Sequence, residues 1–152
     1  MEKLLRAYLA GIIDGEGCIS ITKVPPKRGR VSPAYRLSCA LGMANAYIPQ
    51  LFKFSFGGSV SRSQKGQNKT IWSWRTSGIL ANTFLKALLP YLRLKRNEAE
   101  LAIKFQGRKS VHGGVKGIQG HPLKTDEEWA VEEAQYILMR NLKDKSEVTV
   151  NG

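Results

Sequence analysis

The chain has 152 residues, 42% of them hydrophobic, which is enough for one compact core and short for two. Its formal charge is +12 with a pI near 10, and from Gly17 to Asn97 it has fourteen Lys or Arg but no Asp or Glu. A positive surface of that extent suits a polyanion. The basic residues lie on strand-like and loop-like segments, not beside a strong apolar helical face, so nucleic acid is a better partner than a membrane surface. Cys18 and Cys39 are too few for a disulfide framework and form no C-x-x-C zinc pair; they read as small buried residues of a reducing compartment. With no secretory h-region and no membrane-spanning apolar run, the reading is a soluble intracellular protein, of a prokaryotic cytoplasm or an organelle.

A first helix is predicted from Lys3 to Asp14, followed by a break at Gly17. Cys18 to Lys23 then alternates with period two, Ile19 and Ile21 inward, Ser20 and Thr22 outward. Pro25 to Arg30 is a proline-stopped loop carrying Lys27, Arg28 and Arg30. Tyr35 to Met43 is a second strand, with Leu37, Cys39, Leu41 and Met43 on one face and Arg36, Ser38, Ala40 and Gly42 on the other. Asn45 suits the N-cap of a helix from Ala46 to Phe56, whose first turn tolerates Pro49; Gly57-Gly58 ends it. Ser59–Ser63 and Thr70–Thr76 read as a hairpin around a polar loop containing Lys65 and Lys69. In its second strand, Trp72 and Trp74 are assigned to the core and Ser73 and Arg75 to the open face.

An amphipathic helix starts near Ile79, with Phe84, Leu85, Leu88 and Leu89 on its apolar side, and breaks before Pro90. The next helix is predicted over roughly Arg96 to Gln106. Gly107 to Pro122 reads as a loop with five glycines, the basic residues Arg108 and Lys109, and both histidines. His112 and His121 lie nine apart with no cysteine nearby, and read as loop histidines near phosphate, not as a zinc pair. Thr125-Asp126-Glu127-Glu128 is a capping box opening a helix to about Leu142, anchored by Trp129, Ile137 and Leu138. The tail is expected to fray from Lys143, with Glu147 to Val150 able to add a short strand.

The densest signal is Leu9-Ala10-Gly11-Ile12-Ile13-Asp14-Gly15-Glu16-Gly17. Helical spacing puts Ala7, Ala10, Gly11 and Asp14 on one nearly bare face, and Leu5, Tyr8, Leu9, Ile12 and Ile13 on the other. Two such bare faces allow helices to meet backbone to backbone, bringing two copies of Glu16 together. This nonapeptide resembles the motif of the LAGLIDADG homing endonucleases, with Ile12 for Leu, Gly15 for Ala and Glu16 for the final Asp. Pro90-Tyr91-Leu92-Arg93-Leu94-Lys95 is a second, independent match. The likeness covers about residues 4 to 105.

That resemblance implies an α+β fold: an αββαββα core, a four-stranded antiparallel saddle-shaped sheet with helices on one face, and additional C-terminal helices. The whole of 1–152 would be a single domain, core about 4–105 and extension about 106–152. It implies a homodimer, because the chain carries one motif, with Ala7, Ala10, Gly11 and Asp14 at the interface. Glu16 and the Gly15 carbonyl would hold a divalent metal, Mg²⁺ with Mn²⁺ as substitute, Ca²⁺ supporting binding without cleavage. Asp14 would shape the helix end, Lys95 would sit beside the scissile phosphate, and Asn45 would order water. Pro49 stands where some relatives have a basic residue, so that role is missing or falls to Arg93 or Arg96.

The implied activity is site-specific hydrolysis of double-stranded DNA at a long pseudo-palindromic site. In the major groove Arg36 and Arg75 would read guanine, and Ser20, Thr22, Ser38, Ser61 and Ser73 would make shorter contacts. Lys23, Lys27, Arg28, Arg30, Lys65 and Lys69, with Arg108 and Lys109, would neutralise phosphate. The alternative is a non-catalytic or bifunctional binder of the same fold, an intron RNA maturase or a DNA-binding regulator.

Overall fold

The computed structural model describes residues 1–26, 33–64, 69–112 and 124–148, with the side chains of 110–112 and 145–148 outside that description. In chain order it has helix α1 (Lys3–Glu16), strands β1 (Gly17–Val24) and β2 (Ala34–Met43), helix α2 (Tyr47–Phe56), and strands β3 (Ser59–Ser63) and β4 (Ile71–Ser77). Helix α3 (Gly78–Leu88), a 3-10 turn (Leu89–Tyr91), α4 (Arg96–His112) and α5 (Asp126–Val148) complete it. The sheet order is β1-β2-β4-β3, all neighbours antiparallel. This is the α+β arrangement with a helix–strand–strand repeat read from the sequence.

Strand alternation sorts the side chains. Ile19, Ile21, Tyr35, Leu37, Cys39, Leu41 and Trp74 are buried on the side where the helices pack. The opposite side carries Ser20, Thr22, Arg36, Ser38, Ser61, Ser73 and Arg75, all exposed or half-exposed. At the centre of the core Phe52 and Phe84 each lie close to Trp74, with ring centroids 5.0 Å apart in both pairs. Trp74 is wholly buried and meets the polar requirement of its indole by donating Nε1–H to the Gly57 carbonyl at 2.8 Å. Trp72, expected in the core, is only half-buried, with the Arg62 guanidinium 5.8 Å from its ring.

Gly57 and Gly58 end α2 with φ of 74° and 87°. A Cβ on Gly58 would lie 2.4 Å from the Arg75 carbonyl oxygen, so the junction between α2 and β3 can run this close to β4 only on glycine. Asn45 does serve the start of α2, although the helix begins one residue later than expected: its Oδ1 accepts the Tyr47 N–H at 2.7 Å while Ala46 takes the cap position.

The C-terminal half departs further from the sequence reading. Helix α4 runs on to His112, so Arg108 and Lys109 lie on a helix. The capping box at Thr125 forms in both directions, Thr125 N–H to Glu128 Oε2 at 3.0 Å and Glu128 N–H to Thr125 Oγ1 at 3.3 Å. Helix α5 then continues to Val148, which leaves no strand at 147–148. Its anchors are Met139, fully buried, and Tyr136 and Trp129 against Tyr35; Ile137 and Leu138 face out, at 47% and 48% exposure.

Candidate functional site

Helix α1 delivers the acidic turn. Leu9, Ala10 and Ile13 are fully buried beneath it. Gly17 joins helix to strand with its N–H on the Ile13 carbonyl, and a Cβ there would fall 2.8 Å from Ile13. The turn into β1 is therefore as tight as a bare backbone permits, and Glu16 is fixed at the point where helix gives way to sheet.

Asp14 faces inward, 9% exposed. Its Oδ2 accepts the Arg93 N–H at 2.8 Å and its Oδ1 the Lys95 N–H at 2.9 Å. The Lys95 ammonium in return donates to the Asp14 carbonyl oxygen. That carbonyl is one of the last four of α1, which have no intrahelical partner, so a cation there also favours the helix dipole. Two segments 81 residues apart are thus locked together at the end of the motif helix, beside Glu16.

The bare face of α1 is not the one predicted. Ala10 and Asp14 point into the protomer, because the helix is rotated so that Leu9, Ala10, Ile13 and Asp14 form its inner face. The outward residues are Leu4, Ala7, Tyr8, Gly11 and Gly15, with Leu4 at 82% and Tyr8 at 54% exposure. Tyr8, assigned to the apolar side by sequence spacing, is on this face. A Cβ at Gly11 or Gly15 would meet nothing within 4 Å.

On the open sheet face the register aligns Cys18, Ala40, Arg75 and Ser59 in one row, and Thr22 with Arg36 in another. Ser20 and Ser38 share a hydrogen bond at 2.9 Å between their hydroxyls, and Thr22 donates to the Arg36 carbonyl at 3.2 Å. Among the described residues no carboxylate pairs with Arg36 or Arg75, nor any cation with Glu16.

Two expected phosphate contacts are used otherwise. Lys23 follows Ile19 and Ile21 in the alternation and so lies on the helix side, bonded to Glu133 at 3.0 Å and over the Tyr35 and Tyr136 rings. Tyr35 also donates its hydroxyl to Glu133. Lys109 donates to the Tyr35 carbonyl and sits 4.0 Å from Glu132, which Lys124 holds at 2.6 Å. Burial pulls the Lys109 ammonium below its ordinary value, Glu132 partly opposing. Lysine spacing could not reveal either engagement, because the acids involved lie on α5, about a hundred residues away in sequence from Lys23.

Lys69 and Arg108 are exposed. Lys27, Arg28, Arg30, Lys65 and His121 lie outside the described residues, as does the His112 side chain. Among the described residues there is no group of three or more metal-ligating side chains, and no helix is long and apolar enough to cross a membrane.

A motif helix bracketed by a distant lysine at the rim of an acid-free sheet defines a class. The LAGLIDADG endonuclease family profile matches residues 9–106, and the chain belongs to that family. Among solved structures it is similar to the homing endonuclease I-CvuI in complex with its target in the presence of Ca, at 21% identity and a TM-score of 0.71, covering 91% of this chain and 82% of that one. A second I-CvuI complex, with an I-CreI target and Mg and with the DNA not cleaved, shares 22% identity and a TM-score of 0.62 over 99% and 84% of the two chains. An archaeal intron-encoded homing endonuclease complexed with DNA has a TM-score of 0.73 at 12% identity, covering 93% and 86%. At these identities the likeness speaks for the fold. No curated protein matches the chain.

Proposed function

We propose that the protein is a site-specific double-strand DNA endonuclease that acts as a homodimer, a single domain in which residues about 106–152 buttress the core of about 4–105. The observation that carries this reading is the bracket between Asp14 and Lys95, which sets an ammonium on the last turn of the motif helix that ends in Glu16, a carboxylate with no paired cation among the described residues, at the rim of a carboxylate-free sheet face.

The donor set fits a hard divalent cation: the Glu16 carboxylate and the Gly15 carbonyl are oxygen ligands at a helix end, and a partner protomer would supply a second pair. When bound, Mg²⁺ or Mn²⁺ supplies Lewis-acid charge at a scissile phosphate, whereas Ca²⁺ would support binding alone. Glu16 orients and holds that charge. The Lys95 ammonium, fixed on the Asp14 carbonyl, offsets the negative charge that grows on the phosphate oxygens as water attacks. Asn45 spends Oδ1 on the Tyr47 N–H and keeps its amide NH₂ to order water.

Specificity comes from the open face. Arg36 and Arg75 can present a planar fork to guanine, with Ser20, Thr22, Ser38, Ser61 and Ser73 as shorter contacts. A two-fold dimer imposes near-palindromic symmetry on the site. The test is Glu16→Gln with a target recovered by selecting cleaved sites from a random library in Mg²⁺. Cleavage should fall below detection while binding in Ca²⁺ persists; unchanged cleavage would overturn the assignment. A chain that binds duplex but yields no metal-dependent product in its wild-type form is instead a non-catalytic binder.

A further inference from the structure

Helix α5 lies outside the region matched by the family profile, yet it follows β1, an edge strand, for the length of that strand. At one end Glu133 bonds Lys23. At the other the Lys143 ammonium donates to Cys18 Sγ at 3.2 Å. The spacing agrees: ten helical residues rise about 15 Å, and five strand residues about 17 Å. Helix and strand therefore run antiparallel, in register at both ends.

The inner face of α5 is Glu132, Gln135 and Met139, all buried, and Lys143 follows Met139 by one turn. Cys18 alternates with Ile19, so it belongs to the open face, two residues after Glu16 and in the row that crosses Ala40 and Arg75. To reach it, Lys143 has to come round the edge of β1. A cation is thereby set on the rim of the open face at the Glu16 end, on a helix held by a capping box and by Glu133.

We infer that Lys143 is a contact to the phosphodiester backbone of the bound duplex, flanking the active centre and fixing DNA register without reading sequence; this rests on the endonuclease reading above. A compact ammonium on a flexible stem at the sheet's rim suits a phosphate better than a base edge. Its amine acts on placement of the strand over Glu16, so it is a positioning residue.

The experiment compares wild type, Lys143→Gln and Lys143→Arg as full chains on the selected target. Binding in Ca²⁺ is measured across a salt series, with single-turnover cleavage in Mg²⁺ and phosphate-ethylation interference. For Lys143→Gln the slope of log K against log salt should shrink by about one per chain. Binding should weaken alike on matched and mismatched targets, KM should rise with kcat kept, and ethylation of one flanking phosphate should cease to matter. Lys143→Arg should restore all of these. An unchanged slope and interference pattern in Lys143→Gln, with or without a lowered melting temperature, would make Lys143 a structural tie to Cys18 and overturn the inference alone. A wild-type chain that neither binds nor cleaves duplex DNA would instead overturn the endonuclease reading.

Discussion

The side chain of Asp14 holds the backbone of Lys95, and the side chain of Lys95 holds the backbone of Asp14. The two halves of this bracket do different work. The carboxylate satisfies two N–H groups of the 93–95 turn, so its loss is a loss of structure. The ammonium caps the end of the motif helix by a single bond to a carbonyl, so its loss is mainly a loss of charge. Asp14→Ala should destabilise the fold by roughly 3 kcal/mol, as expected for removing charged hydrogen bonds to part-buried donors. Lys95→Met should stay within about 1 kcal/mol of wild type yet cleave far more slowly. Urea melts beside single-turnover cleavage check the contrast; equal stability losses in the two variants would contradict it.

Gly17 makes a separate demand. With its Cβ position 2.8 Å from Ile13 atoms, including the Ile13 carbonyl oxygen, an added methyl must push the start of β1 off the end of α1. Gly17→Ala should cost about 1–3 kcal/mol by overpacking and should lower cleavage more than binding, because Glu16 moves with the junction. Binding in Ca²⁺ and cleavage in Mg²⁺ on the same duplex separate the two effects. A variant of wild-type stability would show that the junction relaxes freely.

Gly11 is the converse case. Nothing lies within 4 Å of its missing Cβ, so the protomer itself gives no reason for glycine, and in mid-helix glycine is costly. The exposed strip of Leu4, Tyr8, Gly11 and Gly15 is the surface on which the proposed dimer would pair. Gly11→Leu should leave the melting temperature of the separated protomer equal or higher, by up to about 1 kcal/mol of helix propensity, while abolishing the dimer and the cleavage that depends on it. Sedimentation equilibrium decides: a Gly11→Leu chain that still pairs as wild type does would remove α1 from the interface.

Period-two alternation placed nearly every open-face residue correctly, because a strand offers only two faces and Ile19, Leu37 and Trp74 fix which is buried. Helix rotation was less legible. Ala10 and Asp14 are small or polar, and nothing in the local pattern says that Ala10 is fully buried or that Asp14 finds two backbone donors 79 and 81 residues on. The same blindness to distant partners put Lys23 and Lys109 among phosphate contacts when α5 supplies their acids. The capping box at Thr125 was readable since its partners are three residues apart. The length of α5 was not, because α5 packs on α4, β1 and β2 and its Lys143 bonds Cys18, contacts that local propensity does not encode.

Lys109 makes the fold's stability respond to alkaline pH. Burial lowers its proton affinity in the folded chain below the ordinary 10.5, Glu132 opposes this, and Lys124 and Arg36 add to it. As pH rises from that lowered value toward 10.5, the folded chain has released the proton while the unfolded chain still holds it. The unfolded state then binds more protons, so unfolding free energy rises with pH across that window. Cys39 works the other way: burial, with Cys18 adding, pushes its thiol above the ordinary 9.0, so the unfolded chain ionises first and stability falls. The raw curve mixes the two, and the informative quantity is wild type minus Lys109→Met, in which Cys39 cancels. Urea melts from about pH 8 to 10.5 should show this difference climbing with pH. A flat difference would mean that Tyr35 and Glu132 hold the Lys109 ammonium as well as water does in the unfolded chain, and a falling one that they hold it better; either would contradict the lowered value.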